Sequence, residues 1–231
     1  MNCAAYTAVD KAESEPELAH ALNAEAVKLL ATVCNEIGTR LIHISTDYVF
    51  DGTSSTPYKE EDNTNPVNTY GRTKLEGERA CQEANPDSII IRTSWVYSQY
   101  GSNFVNTMIR LLTIKEEISV VADQKGSPTY AADLAEAILT IISGLNWKRG
   151  VYHFSNEGEI TWFDFAMAIK EFINSNCTIH PITTSEYPTP AARPKYSLLS
   201  KEKIFRDYGI APKPWKDSLH TCLQKIYKDR V

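Results

Sequence analysis

The chain has 231 residues, 42% of them hydrophobic and 23% charged, with a net charge of −5 at neutral pH. This composition is ordinary for a globular protein of one large domain or two small ones. The acidic balance, with no basic run, argues against a nucleic-acid or anionic-membrane surface, and no run of about 18 apolar residues is present to span a membrane. The five cysteines, Cys3, Cys34, Cys81, Cys177 and Cys222, are scattered without a Cys-x-x-Cys pair. They read as reduced cytosolic thiols, and with the histidines isolated from them they offer no metal site. The N-terminus lacks the basic and apolar regions of a signal peptide, so the expected location is cytoplasmic.

In chain order, MNCAAYTAVDKAE reads as the end of a strand entering a loop. A helix is expected over residues 14–37, started by Ser14 and Pro16 and stopped by Gly38, with Leu18, Leu22, Leu29 and Val33 making an apolar face. Residues 40–46 read as a strand buried on both faces. A polar loop, 47–67, leads to a helix around Tyr70 that Asn85 and Pro86 stop. The next buried strand covers 88–97. Helix 102–113, strand 118–123, helix 131–143, strand 151–155 and helix 161–174 follow, then a short strand at 177–183. A proline-rich loop, YPTPAARPKYS, precedes two final helices near 200–208 and 216–228. This alternation predicts an α/β fold with a Rossmann-like, doubly wound, mostly parallel sheet.

Such sheets bind ligands beyond the carboxyl ends of their strands. Thr46, Trp95 and the NCAAYT loop all fall at such ends, and Tyr70 follows a loop from one. Tyr70 and Lys74 lie one turn apart, on one helix face. A free phenol titrates near pH ~10, and a nearby cation favours its ionised form. Hydroxyl, phenol and ammonium together are the parts needed to move a proton onto a carbonyl oxygen. The spacing alone is weak, because chance gives about one Tyr-x-x-x-Lys in a chain with 12 Tyr and 15 Lys. Strand alternation turns Ser45 away from Thr46, which makes Thr46 the candidate.

The ordered set NCAAYTAVDKAE, ISTDYVFDG, PVNTYGRTKLEGE, IIRTSWVY, DQKGSPTYAADLAEAI and ARPKYSLL resembles the dTDP-4-dehydrorhamnose reductases, a family of extended short-chain dehydrogenases/reductases. The resemblance covers essentially the whole chain. It implies reduction of the C4 ketone of a dTDP-6-deoxy-L-hexulose to dTDP-L-rhamnose by NADPH, with NADH as the alternative donor. It also implies roles: Thr46, Tyr70 and Lys74 as catalytic residues; Ala5, Tyr6 and Thr7, with Tyr70 and Lys74, at the cofactor; Thr46, Asp47 and Trp95 at the sugar nucleotide. Arg193 could hold the substrate pyrophosphate bidentately. Residues 1–125 are expected to be the remainder of the dinucleotide-binding core. Residues 126–231 are expected to be mainly a substrate-binding region, with segments returning to the core.

The sequence departs from that family in one respect. None of its ten glycines is spaced as the Gly-rich turn that holds a cofactor pyrophosphate. Met1 stands roughly where the fourth family strand ends, so an N-terminal truncation of roughly 50–60 residues is expected. A chain so shortened should bind NADPH poorly. It also bares a sheet edge and an apolar face that invite association, which leaves a homodimer open. Two other readings stay alive: a non-catalytic regulatory or binding subunit of the same fold, and another sugar-nucleotide reductase or epimerase.

Overall fold

A computed structural model describes residues 1–228. Asn2 bridges His43 in parallel, its N–H donating to the Ile42 carbonyl at 2.8 Å, so the chain opens alongside a strand as expected. Two short helices follow, α1 (Val9–Ala12) and α2 (Pro16–His20), the second with proline in its first turn. The axis then passes through a π turn, Ala21–Glu25, into α3 (Ala26–Glu36).

The anticipated single helix 14–37 is therefore interrupted, and its apolar face is not the buried one. Leu18, Leu22, Leu29 and Val33 are 49%, 44%, 68% and 50% exposed. The residues that pack are Ala19, Asn23, Ala24, Val27, Ala31 and Cys34. Two causes act together. The π turn carries extra residues and rotates the stripe. The facing helix also approaches so closely that only small side chains fit between. Ser14 does not cap the helix; its hydroxyl donates to the Lys11 carbonyl at 3.0 Å. Gly38 ends α3 as expected, at φ +65°, and Thr39 N–H reaches back to the Cys34 carbonyl at 2.7 Å.

β1 (Ile42–Thr46) runs into a 3₁₀ turn at Asp47–Val49 and a long loop, then α4 (Thr69–Ala84). Asn68 caps α4, its Oδ1 accepting the Gly71 N–H at 2.7 Å. The strand expected over 88–97 divides into β2 (Ile89–Thr93) and β3 (Val96–Tyr97), because Trp95 adopts φ +48° and turns the chain. Next come α5 (Phe104–Ile114), β4 (Glu117–Val121), β5 (Lys125–Gly126), β6 (Thr129–Tyr130), α6 (Ala131–Ser143) and β7 (Gly150–His153). β8 (Ile160–Thr161), α7 (Trp162–Ile173), β9 (Thr178–Ile182), α8 (Glu202–Tyr208) and α9 (Trp215–Lys228) complete the described chain. Thr161 and Asp164 form a capping box on α7.

The central sheet has the order β1-β2-β7, all parallel, with Ile44, Ile91 and Tyr152 in register. Small pairs surround it: β3 with β6 and β4 with β9, both parallel, and β5 with β8 antiparallel. Helix α6 covers one face, packing Leu134, Ala137, Ile138 and Ile141 on Ile42, Ile89 and Ile91. Helices α3 and α4 cover the other, where Val27, Ala31 and Cys81 meet Leu41 and Ile90. This is the doubly wound α/β arrangement the alternation predicts. A separate apolar core joins Tyr97, Val105 and Ile109 to Phe165, Ile169 and Leu223, so residues near 97–120 pack with the C-terminal helices.

Candidate active site

Two glycines bring α4 close enough to build the site. A Cβ on Gly71 would collide with the Tyr48 carbonyl oxygen, and one on Gly77 with the Asn23 carbonyl oxygen. The helix thus sits against the end of β1 on one side and against the π turn on the other.

At the carboxyl end of β1, Thr46 is buried. Its Oγ1 accepts the Tyr48 N–H at 3.2 Å and donates to Asp47 Oδ1 at 3.1 Å. The same hydroxyl lies beside the Tyr70 phenol. Ser45 points elsewhere, its Oγ enclosed without a partner, as strand alternation predicts. The Tyr70 ring meets Tyr48 edge-on, centroids 5.6 Å apart. Burial lifts the Tyr70 phenol to about 12; the Thr46 hydroxyl pulls it back down and the Asp47 charge adds to the rise.

That direction corrects an expectation. Lys74 shares the helix face with Tyr70 but does not depress its phenol here. Its side chain is buried and turned down onto the sheet, where Nζ donates to the Ile44 carbonyl at 2.7 Å and lies 3.4 Å from His43 Nε2. Burial in turn brings Lys74 down to about 8, against a smaller opposing pull from Glu78. Asp47 is buried too, and desolvation pushes its carboxyl up to about 6, opposed by the Ser197 and Thr46 hydroxyls. Its Oδ2 has no hydrogen bond of good geometry.

The Ala5–Thr7 loop is tied to this centre through a residue that sequence reading missed. Asn23, buried in the π turn, accepts the Tyr6 N–H at 2.8 Å. Its amide donates to the Tyr6 carbonyl at 3.2 Å and to Thr73 Oγ1 on α4 at 3.0 Å. Ala5 and Tyr6 are half-buried and Thr7 is exposed. Nothing local marked it out, since Asn23 sits among Glu17, His20, Glu25 and Lys28 in an ordinary helical stretch, although π turns do recur at functional sites.

Trp95 lies two residues beyond Thr93, which pairs with Thr46 across β1 and β2. A bulky residue at positive φ is strained and persists where its surroundings fix it. Trp162 does so, stacked on the indole at 3.6 Å and 15°. Arg193 reaches the same rim by its loop, because Asn68 donates to the Ala192 carbonyl at 2.8 Å. Its guanidinium, however, is engaged bidentately by Asp10, at 2.6 and 2.8 Å, and by the Ala191 carbonyl at 2.6 Å. The structure therefore gathers Thr46, Asp47, Tyr70 and Lys74 directly, fastens the Tyr6 loop to them, and commits Arg193 to an internal pair. Among the described residues, no group of three His, Cys, Asp or Glu is placed to hold a metal, and no helix is long and apolar enough to cross a membrane.

A parallel sheet whose first strand ends in a threonine beside a helix-borne Tyr-x-x-x-Lys is the arrangement of the short-chain dehydrogenases/reductases. The family model described as the RmlD substrate binding domain matches residues 1–228. A dTDP-4-dehydrorhamnose reductase of Sinorhizobium fredii is 48% identical over 227 residues, covering 94% of this chain and 77% of its own length. The solved dTDP-4-dehydrorhamnose reductase of Clostridium acetobutylicum superposes with a TM-score of 0.94 at 41% identity, over 98% of this chain and 80% of that one. That of Bacillus anthracis, solved in complex with NADP, gives 0.92 at 44% identity, over 96% and 79%. The chain belongs to the dTDP-4-dehydrorhamnose reductase family.

Proposed function

We propose that this protein reduces the C4 ketone of dTDP-4-dehydro-6-deoxy-L-mannose to dTDP-L-rhamnose with NADPH. The observation that carries the proposal is the placement of the Thr46 hydroxyl beside the Tyr70 phenol at the carboxyl end of β1, with Lys74 one turn along α4. Reduction of a ketone builds negative charge on its oxygen. Two hydroxyls placed at one point can bind that oxygen, and preplaced donors stabilise developing charge most. Tyr70 then gives its proton to the oxygen while Thr46 holds it. A phenol at about 12 is a weak acid in the resting site, but its proton is well matched to an alkoxide, which is far more basic.

The chain's residues fit the nicotinamide end of the cofactor. Lys74 donates one N–H to Ile44 and keeps another for a ribose hydroxyl. The Tyr6 loop, anchored by Asn23, lines the same side. When bound, the reduced nicotinamide supplies the hydride. On the substrate side, Asp47 offers its unpaired Oδ2 to a sugar hydroxyl, and Trp95 offers an indole face braced by Trp162. Arg193 contacts the substrate pyrophosphate by exchanging Asp10 for it. In this reading residues 126–231 mainly bind substrate and return β7 to the core. The free thiols of all five cysteines suit a reducing cytoplasm.

The alternative is a binding subunit of the same fold without catalysis. One experiment separates the two. The chain is incubated with the keto sugar and millimolar NADPH, and products are read by NMR. Slow formation of dTDP-L-rhamnose, abolished in Tyr70→Phe, supports the reductase. Binding of the sugar nucleotide with no product, or exchange of C4 epimers without net NADPH consumption, contradicts it.

A further inference from the structure

His43 is fully buried against the site and has no part in the chemistry above. Each ring nitrogen has a neighbour. Nδ1 lies 3.1 Å from Nδ2 of Asn2, and Nε2 lies 3.4 Å from Nζ of Lys74. The Asn2 amide is oriented independently, because its Oδ1 accepts the Ala4 N–H at 3.0 Å. Its Nδ2, which can only donate, therefore faces the ring. Nδ1 must accept, and the proton of the neutral imidazole sits on Nε2. The other tautomer sets Nδ1–H against an amide N–H. Flipping the amide moves the same conflict to Ala4.

We propose that His43 is a positioning residue for Lys74, fixed by Asn2 as the Nε2–H tautomer and presenting that N–H to the lysine amine. The inference rests on the reading of Lys74 as part of the site. A donor aimed at Nζ is matched by a lone pair and opposed by a further N–H. The neutral amine can donate to the Ile44 carbonyl and accept from His43 at once; the ammonium cannot. His43 thus holds the amine in place and favours its neutral form.

The surroundings agree with this assignment. Burial pushes His43 down to about 3, so the ring stays neutral. Burial independently brings Lys74 to about 8. Three groups oppose it by favouring the charged amine: Glu78 and Cys81 on α4, and Cys3 in the N-terminal segment. Glu78 is already held by Arg92, through Nε at 2.9 Å and Nη2 at 2.7 Å, and burial keeps the Cys81 thiol protonated. Tyr70, one turn away, is neutral. A lysine that titrates near neutrality can take up and return a proton during turnover, which a permanent cation cannot.

The test is made by NMR on the 231-residue chain without cofactor, so that its outcome stands apart from any failure of catalysis. With isotope-labelled histidine, His43 should show the Nε2–H tautomer with no titration between about pH 5 and 9. With labelled lysine, the Lys74 midpoint should rise by about one pH unit in His43→Leu. It should stay at the wild-type value in His43→Gln, whose amide N–H can replace the ring donor. Asn2→Ala, at a half-buried position that the fold tolerates more readily, should admit the Nδ1–H form and raise the Lys74 midpoint as well. An Nδ1–H ring in the wild-type chain, or a Lys74 midpoint unmoved in both His43→Leu and Asn2→Ala, overturns the proposal.

Discussion

The two faces of the central sheet are built on opposite principles. Toward α6 the strands present Ile42, Ile89, Ile91 and Tyr152, an apolar layer. Toward α3 and α4 the same strands present His43, Ser45, Arg92 and His153 beside the apolar Ile90, all buried. Arg92 holds Glu78 of α4, and His153 Nδ1 faces the Tyr58 carbonyl at 3.2 Å. The apolar face is held by area, at roughly 1.5–3 kcal/mol per buried large side chain. On the polar face the Arg92–Glu78 pair depends on both partners being in place, since an unpaired charge there costs more than the pair gains. The chemistry is proposed on the polar side, where protons and charges can be tuned. The apolar side is scaffold.

This contrast can be broken or sharpened by experiment. The largest effect is expected in activity. Tyr70→Phe removes the proton donor and should lower turnover on the keto sugar by about 10²–10⁴-fold while leaving the thermal unfolding curve in place. Next is the polar face itself. Glu78→Ala leaves Arg92 buried and unpaired and should destabilise by about 3–5 kcal/mol in urea unfolding. The double change Glu78→Met, Arg92→Met should recover most of that loss. On the apolar face Ile91→Ala should cost about 2–5 kcal/mol, and no second substitution across the sheet should restore it. If the Glu78/Arg92 double variant is as unstable as the single one, the two faces do not differ in the way described.

A smaller effect is expected where α4 meets the π turn. Gly77→Ala should cost about 1–3 kcal/mol through overpacking against the Asn23 carbonyl. It should also disturb the Tyr6 loop, seen as altered Tyr6 and Asn23 amide resonances. An unchanged stability would mean that the close approach of the helices is relaxed in solution.

The smallest expected effect is a pH slope. The folded state raises Asp47 from its ordinary value of 3.8 to about 6 by burial. Between those values the folded chain binds more protons than the unfolded one. The stability contributed by neutral Asp47 is present at low pH and is lost as pH rises through that window, with a slope of at most about 1.4 kcal/mol per pH unit. The difference in unfolding free energy between wild type and Asp47→Asn should carry that slope between about pH 4 and 6. No pH-dependent difference would place Asp47 in a wetter setting.

The sequence made the polar side of the site legible and left its depth hidden. Thr46, Tyr70 and the helix that carries it could be read because the helix period and a strand end both act locally. Spacing also put Lys74 on the Tyr70 face, but a shared face does not say which way a long side chain turns, and Lys74 turns to the Ile44 carbonyl. The α2–α3 face was misjudged because the π turn, which no residue announces, rotates the stripe and exposes Leu29 and Val33. The break at Trp95 was equally silent, since positive φ is expected of glycine and not of tryptophan. The Asp10–Arg193 pair joins residues 183 apart in the chain, a distance over which local pattern carries no information.

The central claim is that Thr46 and Tyr70 act as one unit on the ketone oxygen. A double-mutant cycle in kcat/KM with Thr46→Val and Tyr70→Phe tests it most directly. The account predicts that the double variant is scarcely slower than Tyr70→Phe alone. Losses that simply multiply would show the two hydroxyls working independently and would contradict it.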